Sequence, residues 1–264
     1  MLDTWVYPVR GFLTFCMGFR SEVTRIAFAT REDGRCELYT RIIGSQLNKD
    51  DKKLEKMPLP YRAVEGRLAG MAEKWLGLTG YADHASKSFI SLLGRWDMPL
   101  SLEFFASAVV LEALSHDVSR EGDQKVLLVD EGVLEEVLMS EMPQDVKDIV
   151  VGELYRPQNS NDLTCKLLDE LGEYSKYVVP DLDQFMQEHR VARNGHAHLN
   201  PKKLKKAPQQ LDLFVHTKAV QLLCYGALSM RLGMSSSEVL EAVRESRFMD
   251  SHVRRSRERY AKAS

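Results

Sequence analysis

The sequence predicts a mainly α protein: a helical bundle preceded by a small N-terminal helix and a β-hairpin remnant. Three observations carry that expectation. From Tyr61 onward, apolar residues recur at helical spacing in one segment after another. Strand-like alternation is confined to "EVTRIAFATREDGRCELYTRI", on both sides of Asp33-Gly34. No stretch approaches the roughly 20 apolar residues that a membrane span needs.

Residues 3–17, rich in aromatic and aliphatic side chains, predict the first helix, although Pro8 and Gly11 suit a helix interior poorly. In the hairpin, Asp-Gly supplies the positive φ angles of a tight turn. A lone hairpin is marginal in water, and no further strand is expected. Residues 1–45 therefore read as the C-terminal remnant of an α/β domain. "GSQLNKDDKKLEKMPLP", 44–60, is polar, charged and Pro-ended, and the linker is placed within it at 46–60. A helical domain follows over 61–250, and a basic tail over 251–264. The periodicity places helices near 61–77, 82–94, 101–118, 131–139, 143–155, 162–177, 181–194, 209–232 and 236–246. Asp181 opens a D-x-x-Q cap, Ser235 and Glu238 form a capping box, and Gly233 ends the long 209–232 helix.

Composition narrows the function classes. The four cysteines are scattered without a C-x-x-C pair, which suggests neither a zinc site nor a disulfide framework. No signal peptide is read at the N-terminus, so a reducing cytoplasm is the expected compartment. The formal net charge of −2 does not point to nucleic acid, but its distribution is uneven. Residues 121–173 are acidic, whereas "PKKLKKAP" gathers Lys202, Lys203, Lys205 and Lys206, and "HVRRSRERYAK" lies near the chain end. A lysine cluster of this kind can hold a polyanion through phosphate contacts. There is no Gly-rich phosphate loop and no G-x-S-x-G elbow.

The stretch "RVARNGHAHLN", 190–200, concentrates polar nitrogen at a helix end. The apolar stripe Leu182, Phe185, Met186 continues to His189 and Arg193, placing an arginine on a face that should be buried. Such an arginine needs an anion, a partner subunit or a carboxylate. Gly195 is expected to end the helix, leaving His196 and His198 in or near a turn. A second stripe, Leu102, Phe105, Val109, continues to Glu112 and His116. Glu112 is therefore the candidate partner of Arg193.

Arg193-Asn194-Gly195-His196-Ala197-His198 has the form R-N-x-x-x-H. It resembles the R-x(4–6)-H signature of HEPN domains, the all-helical ribonucleases and RNA-binding modules of prokaryotic toxins and defence systems. More narrowly, it resembles the ApeA-like HEPN proteins of anti-phage abortive infection. Phe104, Phe105 and Leu111-Glu112-Ala113-Leu114 stand where that family has an aromatic-rich helix with an acidic position. The resemblance covers roughly 85–248. It implies metal-independent RNA cleavage by the ribose 2′-hydroxyl, with no cofactor. It also implies a homodimer with residues 181–198 at the two-fold interface, and an RNA substrate, tRNA among the candidates.

In that chemistry His198 transfers protons, Arg193 clamps the phosphate, and Asn194 orients the phosphate or the histidine. Glu112 holds Arg193 or a histidine. His196, short of the family spacing, is the second choice. Lys202, Lys203, Lys205 and Lys206 are the expected RNA-backbone contacts. His116, His189 and His216 read as packing residues. A metal bound by His189, His196 and His198 is the less favoured arrangement, with no cysteine nearby. The alternative function is a HEPN-like module that binds RNA or protein without cutting.

Overall fold

The computed structural model describes residues 7–18, 25–29, 35–39, 58–93, 98–118, 125–127, 129–140, 142–197, 202 and 205–261. The fold is mainly α, as the periodicity predicts. Among the described residues no helix is long and apolar enough to cross a membrane.

Helix α1 (Tyr7–Met17) is followed by strands β1 (Arg25–Ala29) and β2 (Arg35–Tyr39), which pair antiparallel with Phe28 opposite Cys36. The Asp33-Gly34 turn lies outside the described residues. Then come α2 (Tyr61–Val64), α3 (Leu68–Leu76), α4 (Gly80–Leu93) and α5 (Leu100–Val118). A segment of two short strands and two short helices interrupts the bundle: β3 (Lys125–Leu127), α6 (Glu131–Met139), α7 (Gln144–Glu153) and β4 (Tyr155–Pro157). The bundle resumes with α8 (Ser160–Leu171), α9 (Glu173–Val178), α10 (Leu182–Ala197), α11 (Gln210–Arg231), α12 (Ser236–Glu245) and α13 (Arg247–Arg259).

Helix α11 is the central element. Apolar on nearly all sides, it is buried from Leu213 to Ser229 with few breaks and packs against α5 and α13. It ends in a Schellman motif: Met234 N–H donates to Ser229 O and Gly233 N–H to Met230 O, with Gly233 at φ +96°. The predicted capping box of Ser235 and Glu238 opens α12, and the Gln184 N–H donates to Asp181 Oδ1 at the start of α10.

The expected division into an N-terminal remnant, a linker and a tail does not describe the packing. Phe12, Phe15 and Cys16 of α1 belong to the same core as α11. The Phe15 ring stacks on Tyr225 at 4.6 Å, and Trp75 Nε1 donates to Pro8 O at 3.0 Å. Leu59, at the end of the expected linker, is buried, while 46–57 lie outside the described residues. The expected tail, 251–264, is largely the end of a helix: its Val253, Ser256 and Tyr260, with Met249 before them, form a buried stripe against α11 and α9 that the arginines around it conceal in the sequence.

Three other expectations change. The 61–77 helix breaks at Gly66 and the 162–177 helix at Gly172, both at positive φ (+79° and +57°). The β3–β4 ladder, with Val126 opposite Arg156, was not expected because three-residue strands carry no periodicity. Helix α10 runs through Gly195 to Ala197 instead of ending there, because Ala192 and Gly195 are both buried and tertiary packing outweighs the roughly 1 kcal/mol that glycine costs a helix.

Candidate active site

Helices α5 and α10 and the first turn of α8 enclose an open polar cleft. Its lining includes Glu112, Ser160, Thr164, His189, Arg193 and Asn194. Arg193 Nη2 donates to both carboxylate oxygens of Glu112, at 2.6 Å (Oε2) and 2.8 Å (Oε1), and Ser160 Oγ donates to Oε1 at 2.6 Å. This engages one guanidinium nitrogen. Among the described residues, Nε and Nη1 of Arg193 make no hydrogen bond. Asn194 lies beside it on the cleft wall. The N-terminus of α8 is not an open anion site, because the Asn159 side chain already accepts from the N–H groups of Asn161 and Asp162.

The Glu112–Arg193 pairing is the one the sequence suggests, but the stripe leading to it is different. Leu102 and Val109 face solvent. The buried residues of α5 are Phe104, Ser107, Ala108, Val110, Leu111, Leu114 and Ser115, with Glu112 at the edge of that face. Helix α5 is apolar on several faces, so periodicity selects among them weakly. His116 stacks on Tyr81 at 5.3 Å. The ground for placing 181–198 at a two-fold interface was an unmatched arginine on a buried stripe. Glu112 of the same chain meets that arginine, so the arginine alone does not call for a partner subunit, and the interface rests on the resemblance alone.

Burial pushes the Glu112 carboxyl up, but the Ser160 hydroxyl and the Arg193 guanidinium together hold it below its ordinary value. The pair is half-exposed and sits between the surface and buried limits, so it contributes about 1–2 kcal/mol. A depressed carboxyl stabilises the fold fully above its unfolded pKa of about 4.3, and that contribution disappears as pH falls through the lower folded value. Glu112→Gln should therefore lower the urea midpoint most at neutral pH, with the gap closing below about pH 4. A gap independent of pH between 3 and 7 would contradict an ionic pair.

Histidines surround Phe104. The ring centres of His189, His196 and His216 lie 5.9, 5.5 and 5.4 Å from its own. His189 lines the cleft but is buried and stacks on Phe185. Burial, reinforced by Arg193, pushes its pKa down to about 4, so it is neutral at pH 7, and its Nδ1 has no hydrogen-bond partner among the described residues. His216 lies in the core with Nδ1 2.5 Å from Tyr260 Oη, which donates to Glu188 Oε2 at 3.0 Å. That hydroxyl has one proton, so His216 carries its proton on Nδ1 and donates it. Arg259 Nη2 holds the same Glu188 oxygen at 2.9 Å.

Of the predicted site residues, Arg193, Asn194 and Glu112 come together in the cleft. His196 does not join them. It sits on the continued helix with its ring against Phe104, its Nε2 has no partner among the described residues, and burial lowers its pKa. His198 and Lys203 lie outside the described residues. Lys202, Lys205 and Lys206 are exposed. Among the described residues no three His, Cys, Asp or Glu side chains are grouped to hold a metal.

Sequence reasoning missed Ser160, Thr164 and Arg190, which also line the cleft, and the Asn159 cap. The capping box N-x-x-D at Asn159-Asp162 was the available signal, and it would have started α8 two residues earlier, with Ser160 on its first turn. Comparison with protein-family models, with curated proteins and with solved structures finds no match to this chain.

Proposed function

We propose that this chain is a metal-independent endoribonuclease of the HEPN type, serving anti-phage defence by abortive infection or a toxin-like arrest. Arg193 is the phosphate clamp and His198 the proton-transfer residue. The observation that carries the reading is the state of Arg193. One guanidinium nitrogen is anchored on Glu112 at the wall of an open polar cleft, and two further nitrogens are uncommitted among the described residues. A guanidinium oriented in advance can accept a phosphate without first paying the cost of ordering a long side chain.

In the reaction, the ribose 2′-oxygen attacks the adjacent phosphorus and its proton passes to the His198 imidazole. The bond from phosphorus to the 5′-oxygen breaks, and that oxygen takes the proton back from the His198 imidazolium and leaves as a hydroxyl, with a 2′,3′-cyclic phosphate on the other fragment. Arg193 steadies the charge that builds on the phosphoryl oxygens. Glu112 is a positioning residue, and Asn194 orients the phosphate. Lys202, Lys203, Lys205 and Lys206 touch the backbone on either side of the cut, a contact that reads no bases.

The second reading, a module that binds RNA without cutting it, is favoured by one observation: the His196 ring lies against Phe104, which leaves His198 alone of the two histidines in the signature for the chemistry. Incubation of purified protein with RNA in EDTA separates the two. The nuclease is expected to yield fragments ending in 2′,3′-cyclic phosphate and 5′-hydroxyl. Binding with the RNA left intact would establish the binding module, and cleavage abolished by EDTA would mean that a metal, not the Arg/His pair, carries the chemistry.

A further inference from the structure

The segment between α5 and α8 has no core of its own. None of its residues whose side chains are described is buried: α6 and α7 pack chiefly on each other and on β4, and β3 pairs with β4 at the base. Helices of nine and ten residues are marginal in water unless an apolar face is covered. Yet Met139 is 87% exposed and Ile149 67%, and Val133, Leu138 and Val146 face solvent as well. The segment is also strongly acidic. Residues 130–153 hold eight carboxylates (Asp130, Glu131, Glu135, Glu136, Glu141, Asp145, Asp148, Glu153) and one base, Lys147.

The chain carries the complementary surface elsewhere. Helix α13, Arg247–Arg259, has five arginines and two carboxylates. Its buried stripe turns inward, which leaves Arg254 and Arg255 on the outside. The exposed Phe248 lies seven residues before Arg255, two helical turns along the same face. On the preceding helix, α12, and on α9, Arg244 and Tyr177 extend the basic surface: the Arg244 and Arg257 guanidinium carbons each lie 4.7 Å from the centre of the Tyr177 ring. Among the described residues Arg254 pairs with Asp250, at 3.7 Å.

We infer that the α6–α7 arm of one copy docks on the α13 face of a second copy, and the second copy's arm on the first, in a reciprocal two-fold dimer. The occupant is a second copy because this chain itself presents the basic surface with an apolar residue that the acidic, apolar arm needs. Two equivalent contacts close the assembly, so no free arm is left to propagate a chain. The contact is distant in sequence from the Arg193 cleft and does not rest on the proposed chemistry.

Charge reversal tests it. Light scattering at 50 mM salt should find the unaltered protein dimeric at micromolar concentration. Glu135→Arg/Glu136→Arg places a basic arm against a basic face, and Arg254→Glu/Arg255→Glu an acidic arm against an acidic face. Each variant alone should be monomeric, its dimer at least tenfold weaker. Mixed in equal amounts, both contacts become complementary again and a heterodimer should form. All four positions are exposed, so folding should survive, with circular dichroism as the control. A monomer of the unaltered protein at 100 μM, dimers of either variant alone, or a mixture that stays monomeric would each overturn the inference.

Discussion

Gly226→Ala should destabilise the protein by about 2–3 kcal/mol, lowering Tm by roughly 5–10 °C for a chain of this size. In an exposed helix the same change would stabilise by up to about 1 kcal/mol, because glycine loses more backbone freedom than alanine. Here the Tyr174 ring lies across the missing side chain. A Cβ on Gly226 would stand 2.6 Å from Tyr174 Cδ1 and closer still to Cε1. The ring has nowhere to go. Tyr174 is fully buried, and its hydroxyl donates to Leu222 O at 2.7 Å, one turn before Gly226 on α11. Alanine must push α9 off α11 or break that bond, which is worth about 1 kcal/mol and would leave a buried hydroxyl unsatisfied. Gly70→Ala is the control: nothing lies within 4 Å of its Cβ position in α3, and it should be neutral or slightly stabilising. A Gly226→Ala protein that melts with the unaltered one would contradict the packing of α9 on α11.

Much of the fold was legible because local rules and tertiary packing agree over most of the bundle. Helix α12 starts where Ser235 and Glu238 predict, and α11 stops where Gly233 predicts. The failures have physical causes. Helix α13 looked like a solvated tail because its stripe is only four residues among five arginines, and an arginine stem can lie along an apolar surface while its charge stays in water. Helix α1 looked like part of another domain because sequence distance hides the stacking of Phe15 on Tyr225.

The site was legible in its ionic pair and less so in its surroundings. A charge on a buried-facing stripe demands a partner, and Glu112 was the carboxylate at matching spacing, so the 81-residue separation did not hide the pair. Ser160 could not be assigned to it, since a serine on the first turn of a helix has no distinguishing pattern. His196 was misplaced for one reason. Gly195 signals a helix end, and only the burial of that face shows that the helix continues and turns the ring toward Phe104.

The proposed chemistry makes the other large prediction. Arg193→Ala removes the phosphate clamp and leaves Glu112 without its cation, so single-turnover cleavage should fall by about 10²–10³. Arg193→Lys should recover little, because an ammonium cannot hold Glu112 and a phosphate through separate nitrogens. His198→Ala puts the central claim to its most direct test, measured as RNA affinity and single-turnover cleavage on the same RNA, in EDTA. The account predicts an affinity within about threefold of the unaltered protein and a cleavage rate lower by about 10²–10⁴. A His198→Ala protein that cleaves at the unaltered rate would contradict it.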